Sequence, residues 1–426
     1  MKRSTQTIRL AAVAAAGALV LAACGGSSDG GDKDKASDAP AAKGDGTLTV
    51  GQLLPQTGSL AFLGPPEFAG VDLAIKDINA AGGVLGKDVK SVRADSGDTD
   101  SGIAPAETDK LLKAKSDVII GAASSGVSLT VIDKIMSAGT VMFSPANTST
   151  SFDEGDYSKP DLYFRTAPSD ILQGAVLANL LVEDGRENIA ILARQDAYGE
   201  TLAKEVKKNV EAAGSKVAAS VLYDEKNGPG DSQITEIADA KADAVVLIAF
   251  DETTTIVPKL IQAGVGPKDV ATYFVDGNTS DYSTTGTKQL PPGSLTGTKG
   301  TIPGAAAGDD FKKRLATVNA KLKDYSYSAE SYDATVVSAL AAIKAKDDSG
   351  EAIAKEIPGI TKDGDKCKTF EECAALLKDG KDIDYDGVSG PIELGETGSP
   401  TAASIGIYQY DSKNKIAPVK YISGTI

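Results

Sequence analysis

Five short segments hold the residues whose types could do chemistry: PQTGSLAFLG (55–64), AASSG (122–126), PANT (145–148), DAYGE (196–200) and DGN (276–278). The first three offer the hydroxyls of Ser124, Ser125 and Thr148, the amide of Asn147 and backbone N–H groups; the last two offer a phenol, Tyr198, and a carboxylate, Asp276. A zwitterion needs such a pair of poles, because its carboxylate takes N–H and O–H donors while its ammonium takes an anion. With no histidine, no tryptophan and three cysteines in 426 residues, Ser-His-Asp triads, Cys-His dyads and His-ligated zinc are excluded. Any enzyme would have to work with carboxylates, Lys, Tyr or Ser. Each candidate also has a plain structural alternative. Ser124, Ser125 and Thr148 could cap helices, Asp276 could be a turn residue before Gly277, and Tyr198 a packed aromatic.

The elements that would position these residues alternate. Strands are expected at Leu48–Leu54, Val89–Ala94, Val118–Gly121, Val141–Ser144, Tyr163–Thr166, Ile189–Ala193, Val217–Tyr223, Ala244–Phe250 and Tyr273–Val275. Helices are expected at Pro66–Ala81, Pro105–Lys115, Leu129–Ala138, Ser169–Asp184, Glu200–Ala213, near Ile234 and up to Ala263, the first with Phe68, Val71, Ile75 and Ile78 on one face and Gly82-Gly83 as its stop. This alternation implies parallel sheets covered by helices on both faces, and in such sheets ligands bind beyond the carboxyl ends of the strands. Each of the five segments follows a strand.

The run LLPQTGSLAFLGPPEFAGVDLAIKDINAAGGVLGK, the segments GAASSG, FSPANT, FRTAPSDILQGAVLA and AYGE, and the ending DIDYDGVSGPIEL resemble the branched-chain amino acid and amide family of ABC-importer solute-binding proteins, in the same order over residues 47–426. The resemblance implies an α/β fold of two Rossmann-like lobes with parallel sheets, joined by three crossovers, with ligand trapped in the cleft between them. One lobe would comprise residues 47–166 and 303–387, the other 167–302 and 388–426, with Arg165–Gln173 as the first crossover. Carried over residue by residue, the family pattern sets Ser124, Ser125, Asn147 and Thr148 around a ligand carboxylate, with Tyr198 and Asp276 facing it and Asp276 accepting the ammonium. Phe62, Leu63 and Phe250 would form the apolar wall. Leu63 stands where leucine-binding members often carry an aromatic, and Asp276 where a glutamate is common, so a different amino acid or a neutral amide such as urea also fits. The implied partners are ABC permease subunits. The protein is expected to act as a monomer without cofactor or catalytic step, and a sensor ectodomain is the alternative role.

The amino terminus reads as an export signal. Lys2, Arg3 and Arg9 precede an apolar stretch, Leu10–Ala23, too short to span a bilayer, and Leu21-Ala22-Ala23-Cys24-Gly25 resembles a lipobox with Cys24 as the lipidated residue. Residues 24–46, small, polar and charged, read as a flexible tether, with the fold beginning at about Thr47. The expected location is the outer face of the bacterial cytoplasmic membrane, held by a lipid anchor. The net charge of −15 makes nucleic acid an unfavourable partner.

Two further signals remain. Cys367 and Cys373, an exported pair, read as a local disulfide. Asp382, Asp384, Asp386, Gly387 and Glu393 match the D-x-D-x-D-G-x5-E calcium loop, but Gly390-Pro391 cannot start the exiting helix an EF-hand needs, so a turn and a strand are expected and no metal. The Asp382–Asp386 cluster is also the nearest candidate for the carboxylate pair of an exported hydrolase.

Overall fold

The computed structural model describes residues 43–158, 161–286 and 288–426, so the expected signal segment, Cys24 and most of the tether lie outside the described residues. The chain is already fixed before Thr47: the Gly44 amide donates to Asp347 Oδ1 at 3.0 Å, and those of Gly46 and Thr47 to the Asp348 carboxylate at 2.9 and 2.6 Å. The tether therefore ends at about Gly44, earlier than its composition implied.

The first lobe opens with β1 (Thr49–Leu54), α1 (Gly64–Ala80), β2 (Lys90–Asp95), α2 (Ala104–Lys113), β3 (Val118–Gly121), α3 (Ser125–Ser137), β4 (Val141–Ser144) and β5 (Tyr163–Arg165). Its five strands are all parallel and ordered β2-β1-β3-β4-β5. The second lobe follows with α4 (Asp170–Glu183), β6 (Asn188–Arg194), α5 (Ala197–Ala212), β7 (Lys216–Tyr223), α6 (Asp231–Asp239), β8 (Ala244–Ile248), α7 (Thr253–Gln262), β9 (Ala271–Phe274) and β10 (Lys299–Pro303). The chain then returns to the first lobe's core with α8 (Asp309–Leu315), α9 (Ser328–Ala345), α10 (Gly350–Glu356), β11 (Asp365–Cys367), α11 (Phe370–Lys378) and β12 (Ile383–Tyr385), and ends in β13 (Ala402–Tyr410) and β14 (Ile416–Thr425).

The second sheet runs β14-β13-β10-β9-β8-β6-β7. Five of its strands are parallel, but β13 lies antiparallel to β10 and β14 antiparallel to β13, so this sheet is mixed and not wholly parallel as expected. Central strands such as β8 (AVVLI) are buried along their whole length, as a sheet covered on both faces requires. The final passage between lobes comes later than residue 388: Ile392 and Leu394 pack in the first lobe's core, and the chain joins the second sheet at Ala402.

Helix α1 begins where Pro65 and Pro66 occupy its first turn, where no intrahelical N–H is needed. It packs on α9 through Gly70, where a Cβ would come within 2.2 Å of the Ser328 carbonyl oxygen. Cys367, on β11, and Cys373, on α11, form a disulfide.

Candidate functional site

The Asp276–Asn278 turn sits at the carboxyl end of β9, and Asn278 locks it: Oδ1 accepts from the Val275 amide at 2.9 Å and Nδ2 donates to the Leu247 carbonyl at 3.1 Å. Gly277 allows close approach, since a Cβ there would meet the Phe250 ring at 2.5 Å. Helix α5 starts with Asp196 accepting from the Gly199 amide at 2.8 Å, which puts Tyr198 in the first turn, stacked on Phe250 at 5.3 Å between ring centroids. Arg194 lies over the same Phe250 ring at 3.5 Å and pairs with Asp196, Glu252 and Glu225 at 2.6, 3.0 and 3.5 Å. The buried guanidinium fixes the aromatic stack from behind by electrostatics and packing together.

Asp276 is buried, and its carboxylate has three donors: Tyr198 Oη at 2.6 Å and Gln173 Nε2 at 3.0 Å on Oδ1, and Tyr327 Oη at 2.8 Å on Oδ2. Tyr327 comes from the start of α9, in the first lobe, with φ of 57°. Burial pushes the Asp276 carboxyl up from its ordinary value, and the hydrogen bonds from Tyr198, Tyr327 and Gln173 oppose the rise. Asp170, first residue of α4, is also buried. Its Oδ2 accepts from Thr201 Oγ1 at 2.9 Å, its Oδ1 has no partner, and burial followed by the charge of Asp276 pushes its carboxyl up to about 8.

On the facing lobe Ser124 caps α3 by accepting from the Val127 amide at 3.4 Å, and α3 starts four residues before the expected Leu129. Ser125 Oγ accepts from the Ser149 amide at 3.3 Å. Leu63, Ser124, Ser125, Tyr198, Phe250 and Asp276 line one gap between the lobes, together with Leu60, Ala123, Ala146, Gly277 and Tyr327. The cavity within it is ≈ 10 Å³, room for about one water molecule, so this is the closed arrangement.

Three expected residues fall elsewhere. Asn147 is fully used inside the first lobe, donating to the carbonyls of Ala122 and Ala123 at 3.1 and 3.0 Å and accepting from Tyr163 Oη at 3.1 Å, so it braces the loop and does not line the gap. Thr148 is buried behind the gap, where its carbonyl accepts from the Asp170 amide at 2.7 Å and its Oγ1 has no partner. Phe62 is half-buried at the rim under Lys288 Nζ of the second lobe, 5.1 Å from the ring centroid, and Lys288 pairs with Asp251 of its own lobe at 2.5 Å. Gln173, Tyr327, Leu60 and Asp170 were not foreseen. A signal existed for two of them: Asp170 and Gln173 are polar residues three apart on the face of α4 whose other buried residues are apolar.

The three aspartates of the calcium-loop match are paired with lysines, Asp384 and Asp386 with Lys366 at 2.9 and 3.0 Å and Asp382 with Lys344 at 3.0 Å. Among the described residues no group of three or more acidic, histidine or cysteine side chains is placed to hold a metal ion. Nor is any described helix long and apolar enough to cross a membrane.

Two α/β lobes with polar groups of both signs facing one gap define a solute-binding protein. The chain belongs to the periplasmic binding protein family, whose model matches residues 47–415. It is 26% identical over 388 residues to the Leu/Ile/Val-binding protein BraC3 of Rhizobium johnstonii, covering 89% of this chain and 95% of that one. It is 25% identical over 373 residues to the chemotactic signal transduction system substrate-binding protein BasB of Halobacterium salinarum, covering 82% and 83%. The crystal structure of a leucine binding protein from Thermotoga maritima superposes with a TM-score of 0.70 at 19% identity, over 88% of this chain and 99% of that one. Membership makes the chain an extracytoplasmic solute-binding protein and not an enzyme.

Proposed function

We propose that this protein captures a small zwitterion, an amino acid of the branched-chain type, between its two lobes and delivers it to an ABC permease. The observation that carries this is the buried Asp276 carboxylate of one lobe facing the α3 N-terminus, with Ser124 and Ser125, of the other across a single gap. Asp276 takes the ligand's ammonium. The α3 N-terminal amides and the two serines take its carboxylate, and Leu63 and Phe250 bound its side chain. An ammonium and a carboxylate about 4 Å apart attract by about 4 kcal/mol at an effective dielectric of about 20, against about 1 kcal/mol in water, so closure over the ligand supplies the affinity. Cys24 carries the lipid that holds the exported chain at the membrane, and the protein works as a monomer.

Similarity to BraC3, a Leu/Ile/Val-binding protein, supports a branched-chain ligand, and similarity to BasB, a substrate-binding protein of a chemotactic signal transduction system, supports a second role in which the same closure reports to a receptor. A thermal-shift screen of amino acids, short amides and urea tests the ligand class. A true ligand at a hundredfold excess over its Kd stabilises by about 2.7 kcal/mol. No shift with any zwitterion, together with a clear shift with an amide or urea, rejects the zwitterion.

A further inference from the structure

Glu67, on α1, and Glu330, on α9, are buried carboxyls on two packed helices. Both oxygens of Glu67 are without a hydrogen-bond partner. The charged and titratable groups around the pair are themselves acidic. Glu330 acts on Glu67 from across the helix contact, Asp333 acts on Glu330 from its own helix, and Tyr327 on α9 and Tyr408 on β13 feel the Glu330 charge. Among the described residues no cation is among the groups acting on either carboxyl.

The place of Glu330 in the fold gives this pair its interest. Its carbonyl accepts from Thr166 Oγ1 at 3.0 Å, where the chain first leaves β5 for the second lobe. Its Oε1 lies against Gly304, the residue that follows β10 at the second connection, so closely that a Cβ there would be 2.3 Å from it. The Gly304 amide in turn donates to the Ser404 carbonyl at 2.8 Å, on β13, just after the third connection. Glu330 thus meets two connections between the lobes, one through its side chain at Gly304 and one through its backbone carbonyl at Thr166, and Gly304 links it by one hydrogen bond to the third.

Two carboxyls in apolar surroundings cannot both ionise without compensation, so the pair holds at least one proton while it stays dry. We propose that Glu67 and Glu330 form a proton-holding pair beneath the connections between the lobes, favouring the closed arrangement while Glu330 keeps its proton and loosening it when the proton leaves. An ionised Glu330 set against Gly304 has only its own backbone amide to offset its charge in the closed form, and movement of the connections admits the water that solvates it. Burial first, and then the charge of Asp333, pushes the Glu330 carboxyl up to about 8, and burial, then the charge of Glu330, raises the Glu67 carboxyl well above its ordinary value. The closed form therefore binds the Glu330 proton more tightly than an open, hydrated form, and the open population grows as pH rises toward about 8.

Small-angle X-ray scattering of the purified chain without added ligand, from about pH 6 to pH 9.5, tests this independently of what the cleft binds. The wild-type radius of gyration should rise from pH 6 toward about pH 8 and level off above it, with the open-to-closed ratio growing up to about tenfold per pH unit below pH 8 for one released proton. Glu330→Gln, a neutral isostere, should stay compact throughout. Glu67→Leu, which makes the surroundings of Glu330 more apolar still, should carry the rise on to higher pH and serves if the first variant does not fold. A wild-type radius constant over this range, or an unchanged transition in either variant, overturns the proposal.

Discussion

Tyr327 Oη donates to Asp276 Oδ2 at 2.8 Å, joining the start of α9 in the first lobe to the turn after β9 in the second. Tyr198 and Gln173, the other donors to this carboxylate, belong to the same lobe as Asp276, so Tyr327 is the donor whose bond forms only when the lobes meet. A hydrogen bond to a charged group contributes about 1.5–3 kcal/mol. Tyr327→Phe should therefore lower the closed-to-open ratio of the ligand-free protein roughly ten- to a hundredfold. Hydrogen exchange at the amides around Ser124 and Gly277 checks this, and protection equal to wild type contradicts it.

Asp276→Asn keeps the shape of the anchor and removes its charge. Leaving a buried charge unpaired costs about 2–5 kcal/mol, so an ammonium facing an amide should bind roughly 30-fold or more weakly. Titration calorimetry with the best zwitterion of the screen, and with its neutral amide analogue, separates the two ligand classes: the loss should be large for the first and small for the second. Affinity for the zwitterion within about threefold of wild type removes Asp276 as the ammonium anchor.

The alternation of strands and helices was legible over the first two thirds of the chain because β8 and its neighbours are short apolar runs and helices such as α5 carry one apolar face. It faded where burial erased the pattern. Every residue of α9 from Ser328 to Ala342 is buried, polar and apolar alike, so no stripe marks it as a helix, and Tyr327 at its start follows no strand. Asp276, Tyr198 and Ser125 were legible as residues just past strand ends. Asn147 and Thr148 share that position, but whether a side chain there turns toward the gap or back into its own lobe depends on long-range partners such as Tyr163 and Asp170, which local sequence does not report.

Asp170 makes stability fall with rising pH. Its carboxyl titrates at about 8 in the folded protein against an ordinary value of 3.8, because burial and the nearby Asp276 penalise the charge. The folded state therefore binds this proton more tightly than the unfolded state, and the stabilisation is fully present below pH 3.8 and lost as pH climbs to about 8. Asp170→Asn should flatten the decline in Tm measured between pH 5 and 8 in the absence of ligand. A decline as steep as that of wild type shows that Asp170 is ionised in the fold.

The Cys367–Cys373 bridge ties β11 to the first turns of α11, and both residues pack in the core of the first lobe, outside the lining of the gap. Closing so short a loop restricts the unfolded chain by about 2 kcal/mol in the chain-entropy account. The Cys367→Ser, Cys373→Ser double variant should accordingly lose about that much stability in urea while binding the same ligand with unchanged affinity. Because burial of two serine hydroxyls adds its own cost, the Cys→Ala pair should lie nearer the entropic figure. If either pair of substitutions shifts ligand affinity more than about threefold, the bridge acts on the cleft and not only on the stability of the lobe that carries it.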